Sequence, residues 1–301
     1  MNLRIPGPTP VPPDVLTATA HPMVNHRGPE FAKVLGSVSD GLKWVFGTES
    51  EVFCLTASGT GGLEAAVVNV LSPGDQVLSI SIGAFGDRFA NIAKSYGAIV
   101  ESYSVEWGRA ADPEEVENRL ALNPKISAIL VTHNETSTGV TNPLQKIAEI
   151  ARAHDCLIIV DAVSSLSSIP CPVETWGLDV VVSGSQKGWM APPGLAFVWL
   201  SKKAWEANAH AKMPRFYFDL SRARDSLERS QTPWTPALSI FFALEQSFKH
   251  MHEEGLLAIY ERHKKAGHLT RQVALENGFE LFADPTVASD TVTSIKWPKG
   301  A

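Results

Sequence analysis

Cysteine is scarce in this chain. Cys54, Cys156 and Cys171 are the three present in 301 residues. They are dispersed, odd in number and form no CxxC pair, so neither a disulfide framework nor a zinc site is signalled. No apolar run approaches the roughly 20 residues of a membrane-spanning helix. The first residues lack the charged-then-apolar pattern of a leader peptide, so the expected location is cytoplasmic and no membrane partner is implied. Positive charge is also in short supply. Lys and Arg total 26 against 32 Asp and Glu, a formal net charge of -6. With no basic cluster to offset that balance, nucleic acid is excluded and a small molecule is the expected partner. Internal repeats and low-complexity tracts are absent as well. What is present is a 44% hydrophobic composition, ample for a sizeable core, at a length that suits about two domains or one large α/β domain with an appendage.

Residues 4–13 carry Pro6, Pro8, Pro10, Pro12 and Pro13. Proline lacks an N–H, so this is an extended arm and no helix interior. Gly7, between two prolines, can present backbone to a ligand. Helices are expected within 14–47, with the loop Asn25–Glu30 between them, where Arg27 is able to hold a carboxylate through two parallel bonds. From residue 51 the pattern alternates. Apolar strands are expected over 51–56, 76–82, 98–105, 126–132, 157–161, 179–183 and 195–200. Helices are expected over 63–71, 83–96, from 112 and from 142 to 154. Such alternation predicts a three-layer α/β/α fold with a mostly parallel central sheet. Helices over 237–250 and 256–277 follow, then short strands over 279–282 and 291–297. The chain divides into an arm (1–20), a large domain (21–250) and the start of a small, incomplete C-terminal α/β domain (251–301).

Polar motifs recur where strands end. After 51–56 comes Ala57-Ser58-Gly59-Thr60-Gly61-Gly62. A strand, a small-residue turn and a helix start together make an anion site from free N–H groups and the helix dipole. Glu64 stands where a dinucleotide fingerprint needs its third glycine, so that motif fails. Phe85 lies between Gly83 and Gly86 after the next strand, placed in a loop where it can stack on a flat ring. Thr136 follows 126–132, Asp161 ends 157–161, and Ser183-Gly184-Ser185-Gln186-Lys187 ends 179–183. Each residue alone has an ordinary reading as a surface lysine, a turn aspartate or a core phenylalanine. Together, on one sheet edge, they match the needs of pyridoxal phosphate. Lys187 would bind the aldehyde covalently as a Schiff base. Asp161 would pair with the protonated ring nitrogen and keep the ring an electron sink. Phe85 would stack on the ring, and Ser58, Gly59, Thr60 and Gln186 would hold the phosphate.

In this order the motifs, including the run from Thr132 to Gly139 and Val160-Asp161-Ala162-Val163-Ser164-Ser165, resemble the class V aminotransferases of fold type I. The likeness is greatest to the alanine/serine–glyoxylate group and spans essentially the whole chain. The resemblance implies a transaminase that moves an amino group from alanine or serine to glyoxylate or pyruvate by a ping-pong mechanism. It implies that Lys187 is the Schiff-base lysine and Asp161 the pyridine partner. It further implies that Val163 packs on the ring's other face, that Thr136 bonds the ring's 3-oxygen, and that Gly7 lies near the substrate. Thr235, with Thr232 as a second candidate, would reach the phosphate of a neighbouring subunit, hence a homodimer with shared active sites.

Two departures stand out. Phe85 replaces the tryptophan of many relatives, which preserves stacking. The sequence also stops at Ala301, before the small-domain arginine that binds the substrate carboxylate in such relatives, which leaves Arg27 as the candidate for that role. The alternatives are a cysteine desulfurase, which shares the fold but needs a reactive loop cysteine, and a non-catalytic dimeric binding protein that kept the cofactor edge.

Overall fold

The computed structural model describes residues 3–297. Two helices, α1 (Pro13–Ala18) and α2 (Pro29–Phe46), precede an alternating region. It runs β1 (Val52–Thr56), α3 (Gly59–Val70), β2 (Gln76–Ser81), α4 (Ala84–Ser95), β3 (Ile99–Ser104), α5 (Pro113–Leu122) and β4 (Ile126–Thr132). A two-residue ribbon follows, β5 (Asn134–Glu135) with β6 (Val140–Thr141), then α6 (Leu144–Ala153), β7 (Leu157–Asp161), β8 (Val180–Gly184) and β9 (Leu195–Leu200). The remaining elements are helical: α7 (Lys202–Asn208), α8 (Leu220–Leu227), α9 (Leu238–Glu254) and α10 (Leu256–Glu276).

The central sheet has seven strands in the order β1-β9-β8-β7-β4-β2-β3. Every neighbouring pair from β8 to β3 is parallel, and β9 alone runs against both of its neighbours. Strands β7, β8 and β9 are buried at every position. Successive side chains point to opposite faces, so Ile158, Val160 and Val181 enter one apolar layer and Leu157, Ile159, Val180 and Val182 the other. The first layer is closed by Val38 and Leu42 of α2, Leu144 and Ile147 of α6 and Phe241 of α9. The second is closed by Leu63 and Val67 of α3, Phe89 of α4 and Leu220 of α8. A sheet covered on both faces explains why its strands read as unbroken apolar runs.

Two local expectations change. The glycine-rich turn after β1 is not a loop before a helix but the first turn of α3, which begins at Gly59. The strands expected over 279–282 and 291–297 reduce to a single bridge, Leu281 with Ile295. Nearby backbone instead joins the ribbon, with Val140 bridging Ala288 and Thr141 N donating to Val287 O at 2.9 Å. Residues 298–301 of the expected small domain lie outside the described residues. Among the described residues, no helix is long and apolar enough to cross a membrane.

Candidate active site

The parallel strands deliver their carboxyl ends to one edge. Thr56 pairs with Leu195 and Gly184 with Ala196, so the reversed strand β9 starts where its neighbours finish. A cavity of about 330 Å³ opens there, within the roughly 300–1,000 Å³ of small-molecule sites. Its wall gathers Gly7, Ser58, Gly59, Thr60, Phe85, Thr136, Asp161, Val163, Gln186 and Lys187 from segments far apart in sequence. Ten of the thirteen candidate residues thus meet. A larger cavity of about 780 Å³ beside Arg109, His133 and Trp176 holds none of them.

The lysine loop is rigid for identifiable reasons. Trp189, two residues beyond Lys187, is completely buried. Its ring meets Phe197 edge-on with centroids 4.7 Å apart, and its Nε1 donates to Ser183 Oγ at 2.8 Å. Ser185 Oγ donates to Pro192 O at 2.7 Å and accepts from Leu195 N at 3.2 Å. The half-buried Lys187 therefore leaves a fixed base. Burial pushes its amine below the usual lysine range, while the charge of Asp161 acts the other way. The N-terminal arm lies against it, with Lys187 Nζ donating to Pro6 O at 2.9 Å and Thr9 Oγ1 donating to Lys187 O at 3.0 Å. Gly7 has φ +154°, and a Cβ there would fall 2.6 Å from Lys187 Nζ.

Asp161 is 4% exposed. Burial raises its carboxyl to about 7; the charge of Glu135 adds to the rise, and the Val163 N–H, bonded to Oδ1 at 2.9 Å, opposes it. A buried carboxyl short of partners fits a cationic ring nitrogen, which would return it to the anion. At the α3 end, the first intrahelical bond runs from Gly62 N to Ser58 O. The N–H groups of Gly59, Thr60 and Gly61 therefore point out of the helix start. Ser58 makes no side-chain cap. A Cβ at Gly59 would lie 2.7 Å from Val163 Cγ2, so only glycine fits between the two walls. Gln186 Oε1 is buried in the same wall without a hydrogen-bond partner.

Glu135 and Arg88 are among the residues of the cavity region that carried no role in the sequence. Glu135 is fully buried. Its Oε2 accepts from Phe85 N and Gly86 N, both at 3.1 Å, and its Oε1 from Ser137 Oγ at 2.6 Å. A carboxylate thus caps α4 and fixes the backbone that carries Phe85, which sits in the first helical turn rather than in a loop. The signal was a glutamate inside an otherwise small polar run after β4. Arg88 also lines the cavity, one helical turn beyond Phe85.

Arg27 and Thr235 do not line the cavity. The Arg27 guanidinium donates to Gln231 Oε1 at 3.0 Å, to Thr232 O and to Pro233 O at 3.2 Å. In this chain its fork faces that loop. Thr235 is exposed on the same loop, and the hydroxyl of the buried Thr232 donates to Trp234 O at 2.7 Å. None of the three cysteines described is the exposed loop thiol that the desulfurase reading requires. Cys156 and Cys171 are buried, Cys54 lies within β1, and burial pushes all three thiols up.

A mostly parallel sheet with a lysine, a buried aspartate and an open helix start at its carboxyl edge defines a fold type I pyridoxal-phosphate enzyme. The family model "Aminotransferase class-V" matches residues 5–300. The soluble hydrogenase 42 kDa subunit of Anabaena cylindrica is 44% identical over 99% of this chain and 79% of that protein. The serine–glyoxylate aminotransferase of Methylorubrum extorquens is 36% identical over 99% of this chain and 77% of its own length. The solved alanine–glyoxylate aminotransferase of Nostoc sp. superposes with a TM-score of 0.95 at 29% identity, covering 99% of this chain and 80% of that one. The chain belongs to the class-V aminotransferase family, and its cofactor is pyridoxal phosphate.

Proposed function

We propose that this aminotransferase moves the amino group of a small L-amino acid, alanine or serine, to a small keto acid such as glyoxylate or pyruvate. The observation that carries the reading is the meeting of Lys187 and Asp161 in one cavity that also opens on the start of α3. The donor and acceptor classes are supported by the serine–glyoxylate and alanine–glyoxylate relatives. The name of the Anabaena relative describes that protein, and the reading here rests on the lysine–aspartate pair.

Pyridoxal phosphate, when bound, supplies an aldehyde that links to amines and a ring that draws electron density from the carbon bearing the amino group. Lys187 is the protein's nucleophile. Its lowered proton affinity favours the free amine needed for attack. As general base and then general acid, the same amine would take the donor's α-proton and give it back two atoms along, beyond the nitrogen. Asp161 holds the ring-nitrogen proton, and its burial strengthens that pairing. Phe85 and Val163, which line the cavity with Thr136, would hold the ring between them, and Thr136 would bond its 3-oxygen. Ser58, Gly59, Thr60 and Gln186 hold the phosphate, joined in a homodimer by Thr235 of the neighbouring subunit. Arg27 fixes the loop that presents Thr235. Gly7 lets the arm run directly beside the Lys187 amine.

The test is a single turnover of the loaded full chain with alanine, serine or cysteine, with keto acid and sulfide measured. Alanine should release pyruvate and serine hydroxypyruvate, one equivalent per site. Sulfide from cysteine would establish the desulfurase reading instead, and silence with all three donors a binding protein. Borohydride should trap the cofactor on the peptide containing Lys187, and Lys187→Ala should abolish that adduct.

A further inference from the structure

The phosphate of pyridoxal phosphate carries nearly two negative charges near neutral pH. The start of α3 answers with hydroxyls, N–H groups and a helix dipole equivalent to roughly half a charge. Two cations line the cavity, Lys187 and Arg88. Lys187 is committed to the aldehyde at the other end of the cofactor. Arg88 is the remaining one, and it stands beside the phosphate turn. Its Nη1 donates to Thr60 Oγ1 at 3.2 Å, and its guanidinium carbon lies 4.7 Å from the centroid of the Phe85 ring. An oxygen that accepts from a guanidinium keeps its own O–H free to donate. Arg88 thus turns the Thr60 hydroxyl into a donor, and the Phe85 ring limits where the guanidinium can go. Its field also reaches Asp161 across the cavity.

We propose that Arg88 is the charge-bearing phosphate residue of this site, acting on the phosphate directly and through Thr60. The proposal rests on the cofactor placement given above. It separates Arg88 from the ring-holding residues, since its contribution depends on the phosphate and not on the pyridine.

The experiment measures binding of pyridoxal phosphate and of pyridoxal to the cofactor-free full chain, in the parent, Arg88→Gln and Arg88→Lys. Arg88→Gln should weaken pyridoxal phosphate by about tenfold or more, the scale of one charge-assisted bond. Pyridoxal should bind the parent and both variants alike. Arg88→Lys should recover part of the loss, and added salt should narrow the gap between parent and Arg88→Gln. Equal weakening of both ligands would overturn the proposal and assign Arg88 to support of the Phe85 ring. Unchanged pyridoxal phosphate affinity with an altered donor KM would overturn it in favour of a substrate role. If borohydride traps no cofactor on Lys187 in the parent, the function proposed above falls; if it does trap cofactor but Arg88→Gln binds normally, the Arg88 assignment alone falls.

Discussion

Two buried groups near the sheet edge titrate in opposite senses, and replacing one should expose the other. Burial raises the Asp161 carboxyl from 3.8 to about 7 and lowers the His133 imidazole from 6.5 to about 4. The raised carboxyl contributes stability that is complete below 3.8 and is lost as pH climbs through about 7. The depressed imidazole contributes stability that is complete above 6.5 and is lost as pH falls toward 4. At ~1.36 kcal/mol per pH unit, Asp161 accounts for about 4 kcal/mol and His133 for about 3 kcal/mol. In the cofactor-free parent the two slopes nearly cancel between pH 4 and 6.5. Asp161→Asn keeps an acceptor for the Val163 N–H but cannot titrate. Urea unfolding of this variant should therefore show the rise belonging to His133. Relative to the parent, the variant should gain about 3 kcal/mol across that interval. Parallel profiles for parent and variant would refute the reasoning, because they would place the carboxyl's titration outside the interval. With pyridoxal phosphate bound, the ring nitrogen should hold Asp161 as the anion, and the difference between the two proteins should shrink.

Gly59→Ala places a Cβ 2.7 Å from Val163 Cγ2 and should cost about 1–3 kcal/mol of stability together with weaker cofactor binding. An unchanged urea midpoint would mean that Val163 yields without strain. Gly7→Ala, with its new carbon 2.6 Å from Lys187 Nζ, should lift the exposed arm. Borohydride trapping should slow while the unfolding midpoint stays within about 0.5 kcal/mol; an unaltered trapping rate would show that the arm does not influence the amine.

The layered fold was legible because strands buried on both faces admit few polar residues. β4, β7, β8 and β9 could be recognised from continuous apolar runs. The helix after Asp112 was legible from its cap, and Asp112 Oδ1 does accept from Glu114 N at 2.9 Å. Lys187, Asp161 and the Ser58–Thr60 turn could be placed on one edge because parallel strands bring their ends together. Contacts made across the fold were less visible. Nothing local marks Glu135 as a cap for a helix some fifty residues earlier, since that partnership exists only after β4 and β2 pair. Arg88 reads as a solvent-facing helix charge until α3 and α4 stand side by side. The partners of Arg27 were hidden for a related reason: its acceptors are carbonyls more than 200 residues away, which periodicity cannot reveal. The segments expected as strands after residue 278 do meet each other, through the Leu281–Ile295 bridge and the bonds from Phe282 N to Ser294 O and Lys296 N to Glu280 O, but the pairing is too short to extend into strands.

The plug formed by Trp189 sets how the reactive loop can fluctuate. Its indole sits among Phe46, Phe197 and Phe248, so a local opening of this hairpin would have to drag a large aromatic out of the protein's interior. The bonded, buried amide hydrogens of Ser185 and Ala191 should therefore exchange with solvent only when the whole domain unfolds. Adjustment to different substrates would then fall to the proline-rich arm, which meets the lysine loop from outside the hairpin.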